Sequence, residues 1–171
     1  IMLNLTHQDP VMREIFQNKD FRIGLSHAID RQEIINLIYA GQGEPWQVAP
    51  LDGSAFYDEE FGKQYTEYST DLANEALDRA GYSQTDSDGF RLGPDGEKIS
   101  FVIEVASAQQ DRIDALDLVR GFWQEVGIDV QIRPIDRSLL YQRKDTNQHD
   151  AVVWGGEEGI DIIAKPRNYF P

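Results

Sequence analysis

The segment Trp154-Gly155-Gly156-Glu157-Glu158-Gly159 is where this sequence comes nearest to chemistry. Trp154 ends the apolar run Ala151-Val152-Val153 and offers an aromatic face on which a sugar ring or an apolar side chain can stack. Gly155 and Gly156 open the backbone, and the carboxylates of Glu157 and Glu158 can hold an amine. Trp154, Gly155, Gly156, Glu157 and Glu158 are therefore the candidate ligand-binding set, and their chemistry is recognition rather than bond breaking. The same residues also fit a core tryptophan beside a glycine-rich turn.

Residue types that could catalyse or hold a metal are dispersed. His7, His27 and His149 lie far apart, and none has the i, i+4 partner of a helical zinc site. Gly-x-Ser-x-Gly and the glycine-rich phosphate loop are both absent from the chain. Asp88-Gly89 and Asp95-Gly96 lack the regular oxygen ligands and terminal glutamate of a calcium loop and read as hairpin turns. With no cysteine, disulfides, thiolate metal sites and cysteine nucleophiles are excluded. No cofactor or metal is expected. A small acidic α/β hydrolase or transferase would need a nucleophile and base at strand ends, and none can be placed. A stand-alone acidic interaction module is a second alternative.

A chain of 171 residues with 40% hydrophobic content can bury one core, so residues 1–171 read as a single domain. The net charge of −14 and a pI near 4.5 disfavour nucleic acid and anionic lipid, because both repel an acidic body. Cationic or neutral ligands remain. No apolar run is long enough to span a bilayer, and the opening Ile1-Met2-Leu3-Asn4 carries no basic-plus-apolar leader.

The elements that must position the candidate set follow from periodicity and capping. Leu3 and Leu5 alternate with polar residues in a short strand that ends at the break Asp9-Pro10, and the first helix is expected after Asn18. Asp30 with Glu33 forms a capping box for a helix whose apolar face is Ile34, Ile35, Leu37 and Ile38, stopped by Gly41. Residues 41–68 form a long loop pinned by aromatic packing. Ser69 or Thr70 caps a helix reaching Ala80, with Leu72, Ala73, Ala76, Leu77 and Ala80 on its buried side. The alternation from Ile99 to Val105 predicts a strand, 108–126 a helix, Ile128 to Ile132 a strand, 139–144 a short helix capped by Asp136 or Ser138, and 151–154 a strand. Strands alternating with helices predict an α/β fold, a mixed sheet flanked by helices.

Three ordered blocks resemble family 5 extracellular solute-binding proteins, the peptide, nickel and oligosaccharide receptors of ABC importers. The first is Ala28-Ile29-Asp30-Arg31 with Ile34; the second is Tyr68-Ser69 through Ala73 and Leu77 to Ala80-Gly81-Tyr82; the third is Gly127-Ile128-Asp129-Val130 with Asp150-Ala151 and Trp154 downstream. The resemblance implies one lobe of a type II periplasmic-binding-protein-like fold, the second lobe, with the first lobe and a C-terminal return segment lying outside this chain. It further implies a non-enzymatic substrate-binding component that closes on a small-molecule or peptide ligand, works with ABC permease subunits and resides at the periplasmic or extracellular face of a bacterial membrane. Peptide receptors of the family carry Trp-x-x-Asp, whose aspartate engages a peptide's α-ammonium; Trp154-x-x-Glu157 keeps the spacing and lengthens the acid.

Overall fold

Asp9 and Pro10 start a helix as well as ending a strand. Asp9 accepts the Val11 N–H at 2.8 Å, and Pro10 takes the first helical position, where a missing N–H leaves no bond unmade. A helix over Pro10–Gln17 (α1), which the sequence reading missed, thus follows the short strand Met2–Leu3 (β1). The break signal and the start signal were the same two residues. Lys19–His27 (α2) begins where expected, its first amides received by the Asn18 side chain. Arg31–Ile38 (α3) starts with Asp30 accepting the Glu33 N–H at 2.9 Å, and Gly41 ends the turn that follows with φ +77°. Glu59–Lys63 (α4) lies within the long loop, and Thr70–Arg79 (α5) is capped by Ser69. Ser100–Ala106 (β2), Gln110–Glu125 (α6), Asp129–Ile135 (β3), Arg137–Asp145 (α7) and Ala151–Val152 (β4) complete the order. The computed structural model describes residues 1–50 and 52–154.

The expected mixed sheet is present, in the order β1-β4-β2-β3. β2 runs parallel to both neighbours, with Ile103 opposite Ile132 and Ala151, while β1 pairs antiparallel with β4. Asp150 secures the start of β4: one carboxylate oxygen accepts the Val102 N–H at 2.9 Å and the other meets His7 Nε2 at 3.0 Å. In β3, Asp129 donates to Ile99 and Ile135 accepts from Ser107, so odd-numbered residues face β2 and Pro134 sits where an amide would point away from it.

Phe101, Ile103 and Val105 project from β2 into a core shared with Phe16, Phe21 and Trp123, each at most 2% exposed. Full burial of such side chains stabilises by about 1.5–3 kcal/mol each. The Trp123 indole N–H donates to the Leu25 carbonyl at 3.0 Å, so the core's largest residue carries no unpaired donor. Helices α2 and α5 touch through Gly24, where an added Cβ would stand 2.7 Å from Leu77 Cγ and 3.0 Å from the Ala73 carbonyl. The apolar face expected of α3 is narrower than drawn: Ile35 is buried but Leu37 is 62% exposed. Two residues are about 200° apart on a helix, so one contact stripe cannot cover both. Leu72 of α5 is likewise exposed, unlike its neighbours Ala73, Ala76 and Leu77. In the long loop Trp46 stacks on Tyr57, with planes 8° apart, whereas Phe56 and Phe61 remain exposed.

Thr85 bridges Arg91 and Leu92 bridges Lys98 in the turn-rich ribbon, with Gly89 and Gly96 at positive φ. Arg91 is buried and fastens this ribbon to the rest of the fold. Its guanidinium donates to the carbonyls of Tyr82 and Val126 and to the side chains of Asn74 and Asp78.

Candidate functional site

The carboxyl ends of β2 and β4 meet the first turns of α6 and α7. Parallel strands leave a crevice at this end of a sheet, where the chain departs on both sides. Here it is narrow, about 20 Å³, with an apolar wall of Ala106, Leu140 and Val153 and a polar rim of Gln109, Arg112, Arg137 and Trp154.

Trp154 lies just past β4 and is half-buried. Tyr141 meets its ring edge-on, with centroids 4.8 Å apart, and Lys144 Nζ sits 5.0 Å over the ring. Arg137 in turn lies 5.6 Å from the Tyr141 ring. Residues 137, 141 and 144 share one face of α7 because they are four and three apart, so this helix supplies a cationic and aromatic wall to the tryptophan. Of the remaining candidate ligand residues, Gly155, Gly156, Glu157 and Glu158 lie outside the described residues.

A buried ion pair holds α7 in place. Glu104, 1% exposed in the middle of β2, accepts from Arg143 Nε at 2.6 Å and from Arg133 at 3.4 Å. Removing one partner of such a pair is costly, since it leaves a charge buried alone. His149 is buried nearby; desolvation lowers its pKa, while the negative charge of Glu104 opposes the shift. Neither Glu104 Oε2 nor His149 Nδ1 has a hydrogen-bond partner among the described residues.

The His7–Asp150 pair has the outline of a base and its orienting acid. Both ring nitrogens of His7 are occupied, however: Nε2 by Asp150 and Nδ1 by the Asp9 N–H at 3.1 Å. An imidazole with no free nitrogen cannot take a substrate proton, so the pair serves the fold. A wider groove of about 600 Å³ runs beside His27, Asp30, Arg31, Tyr65 and Tyr68. Its polar groups are turned inward: His27 Nδ1 meets the Glu67 carbonyl and Arg31 donates to Ser26, which makes it a product of loop packing. Among the described residues no group of acids and histidines could hold a metal ion, and no helix is long and apolar enough to cross a membrane.

Sequence reasoning found Trp154 and missed Gln109, Arg112, Arg137 and Tyr141. A signal was available in part: Arg112 and Arg137 are cations in the first turns of helices, where the dipole favours anions.

Residues 1–161 match the sequence profile of bacterial extracellular solute-binding proteins, family 5 Middle. The oligopeptide-binding protein AppA of Bacillus subtilis is 28% identical over 144 residues, which is 83% of this chain and 26% of AppA. Among solved structures, an oligopeptide-binding protein OppA superposes with a TM-score of 0.91 at 37% identity, covering 99% of this chain and 26% of OppA. AppA of B. subtilis in complex with a nonapeptide gives 0.76 at 27% identity, over 90% of this chain and 29% of AppA. NikA of Brucella suis in complex with Fe(III)-EDTA, at 20% identity, shares the fold with a TM-score of 0.67 over 91% of this chain and 30% of NikA. The chain spans about a quarter of the length of the curated relative it matches. With the profile extending over nearly all of the sequence, the chain belongs to the family 5 bacterial extracellular solute-binding proteins, as part of their middle region.

Proposed function

We propose that this chain is one lobe, the second, of a two-lobed receptor that captures a small solute for an ABC importer and hands it on unaltered. Relatives that bind oligopeptides by name, together with the strand-end crevice beside Trp154, support this reading. The lobe supplies one wall of a cleft that closes by hinge motion, and permease subunits receive the loaded receptor at the outer face of the membrane. Trp154 is a ligand contact, and Gly155, Gly156, Glu157 and Glu158, which follow it in sequence, are the further candidate contacts.

The single observation that carries the proposal is a half-buried tryptophan at the end of a sheet strand, opening onto a crevice that the described residues leave unfilled. Calorimetric titration of the complete protein with pooled oligopeptides is expected to show binding. Trp154→Ala is expected to weaken that binding by about 1–2 kcal/mol, the range of a lost aromatic contact, while the melting temperature moves little. A large loss of stability with unchanged affinity per folded molecule returns Trp154 to the core.

A further inference from the structure

We infer that the groove beside His27 is a second binding site, which takes the ammonium group of a small organic amine and lays its apolar body against Tyr65 and Tyr68. Loop packing builds the groove, and the inward bonds of His27 and Arg31 fix its walls. At about 600 Å³ it has the volume of small-molecule pockets.

His27 is 9% exposed and lines the groove. Its Nδ1 meets the Glu67 carbonyl at 2.9 Å, and a carbonyl only accepts, so in the neutral ring that nitrogen carries the proton. Nε2 is then a lone pair on the opposite side of the imidazole, and it has no hydrogen-bond partner among the described residues. An acceptor so nearly buried is rarely left unmatched, and the groove is where a donor can reach it. Tyr65 meets the imidazole edge-on, with centroids 5.9 Å apart. Tyr65 itself stands at φ +59°, a conformation that a bulky residue keeps only where its surroundings fix it; here the Ser26 hydroxyl donates to its carbonyl at 2.8 Å.

Charge at the groove selects a cation. Asp30 gives one carboxylate oxygen to the Glu33 N–H at 2.9 Å as the α3 cap. Neither its other oxygen nor the Glu67 carboxylate has a hydrogen bond or ion pair among the described residues. Two cations share the wall, and both are engaged: Lys63 is neutralised by Glu59 at 2.5 Å, and Arg31 gives its donors to the Ser26 carbonyl and hydroxyl. Tyr68 is 42% exposed. Burial raises the pKa of its phenol, and the charges of Glu125, Asp30 and Glu33 raise it further, the mark of a negative field at the ring. An ammonium ion answers each of these features: it brings donors for His27 Nε2, positive charge for the Asp30 and Glu67 carboxylates, and a cation for the tyrosine faces. A carboxylate or phosphate would be repelled by the same field.

The test is calorimetric titration of the complete protein with phenethylamine, with phenethyl alcohol as its neutral counterpart and phenylacetate as its anionic one. The amine is expected to bind about tenfold more tightly than the alcohol, with a preference that shrinks as salt rises, and phenylacetate no better than the alcohol. Asp30→Asn should bring the amine down towards the alcohol while the melting temperature holds, because asparagine caps a helix as well as aspartate does. Tyr68→Leu, at a partly exposed ring, should also lower the amine affinity several-fold. Saturation with the oligopeptide pool should leave that affinity unchanged. Equal binding of amine and alcohol, binding of none of the three compounds, or an amine preference that survives both substitutions overturns the second site. Displacement of the amine by peptide overturns it too, by placing the amine in the solute cleft. A failure of the peptide pool itself to bind counts against the receptor reading alone.

Discussion

Arg91→Met is the substitution whose outcome the structure fixes most closely. The arginine is buried and joins the ribbon over residues 84–98 to α5 and to the end of α6. Methionine fills much of the volume of the aliphatic stem, so the cavity it leaves is small. What is lost is donors. The carbonyls of Tyr82 and Val126 are left unpaired, at about 1–3 kcal/mol for each buried group without a partner. Asp78 has a side chain that is 53% exposed and rehydrates, so its ion pair adds at most about 1 kcal/mol. The sum is about 2–7 kcal/mol, reaching the tail of single-substitution effects where broken buried networks are found. Urea unfolding of the complete protein should show this loss. Hydrogen exchange should place it, because the amides of Asp86, Leu92 and Ile99, which hold the ribbon together, should lose protection most. A loss below about 1 kcal/mol with unchanged protection of these amides would refute the assignment of Arg91 as the fastening of the ribbon.

Two further outcomes are expected. Burial depresses the His149 pKa, with the nearby charge of Glu104 opposing, so the unfolded chain takes up a proton before the folded one does. Stability should therefore be constant above about pH 7 and fall as pH drops through about 6.5 towards the folded value; His149→Gln should flatten that limb in urea midpoints measured from pH 5 to 8, and an unchanged slope would assign it to other groups. Gly24→Ala should lower the melting temperature despite alanine's helix preference of about 1 kcal/mol, because the new Cβ meets Leu77 Cγ at 2.7 Å and a backbone carbonyl at 3.0 Å; a rise in melting temperature would show that α2 and α5 can part at no cost.

Much of the fold was legible because its signals are local. Asp30, Ser69 and Asp136 each cap the helix they were expected to cap, and Gly81, Gly89, Gly96 and Gly127 have the positive φ that stops and turns require. Of the three parallel strands, β2 and β3 were readable from alternation and β4 from its short apolar run. Failures occurred where one residue carries two meanings or where a partner is distant. Asp9-Pro10 is both a break and a helix start. Leu37 has the right composition for a core face, but α3 leans on α6 along a single stripe, which its own sequence cannot disclose. Trp154 stood out by type and position; the arginines that share its crevice did not, because residues 112 and 137 come together only once β2 and β3 lie side by side. Glu104 was hidden for a similar reason: it occupies what alternation marks as an outward position, and α7 then covers it with Arg143.

Pro134 has a bearing on how this chain behaves in company. β3 ends the four-stranded order, and the outer rim of such a strand presents amides and carbonyls that a stranger's strand could zip onto. At residue 134 the ring stands where the rim would otherwise offer a donor, and because the β2 ladder uses the odd-numbered positions, the sheet loses no bond of its own. Arg133 and Gln131 are exposed alongside it. A β-fibre template is thereby interrupted near the carboxyl end of β3, where a strand from another copy would meet a ring in place of a donor.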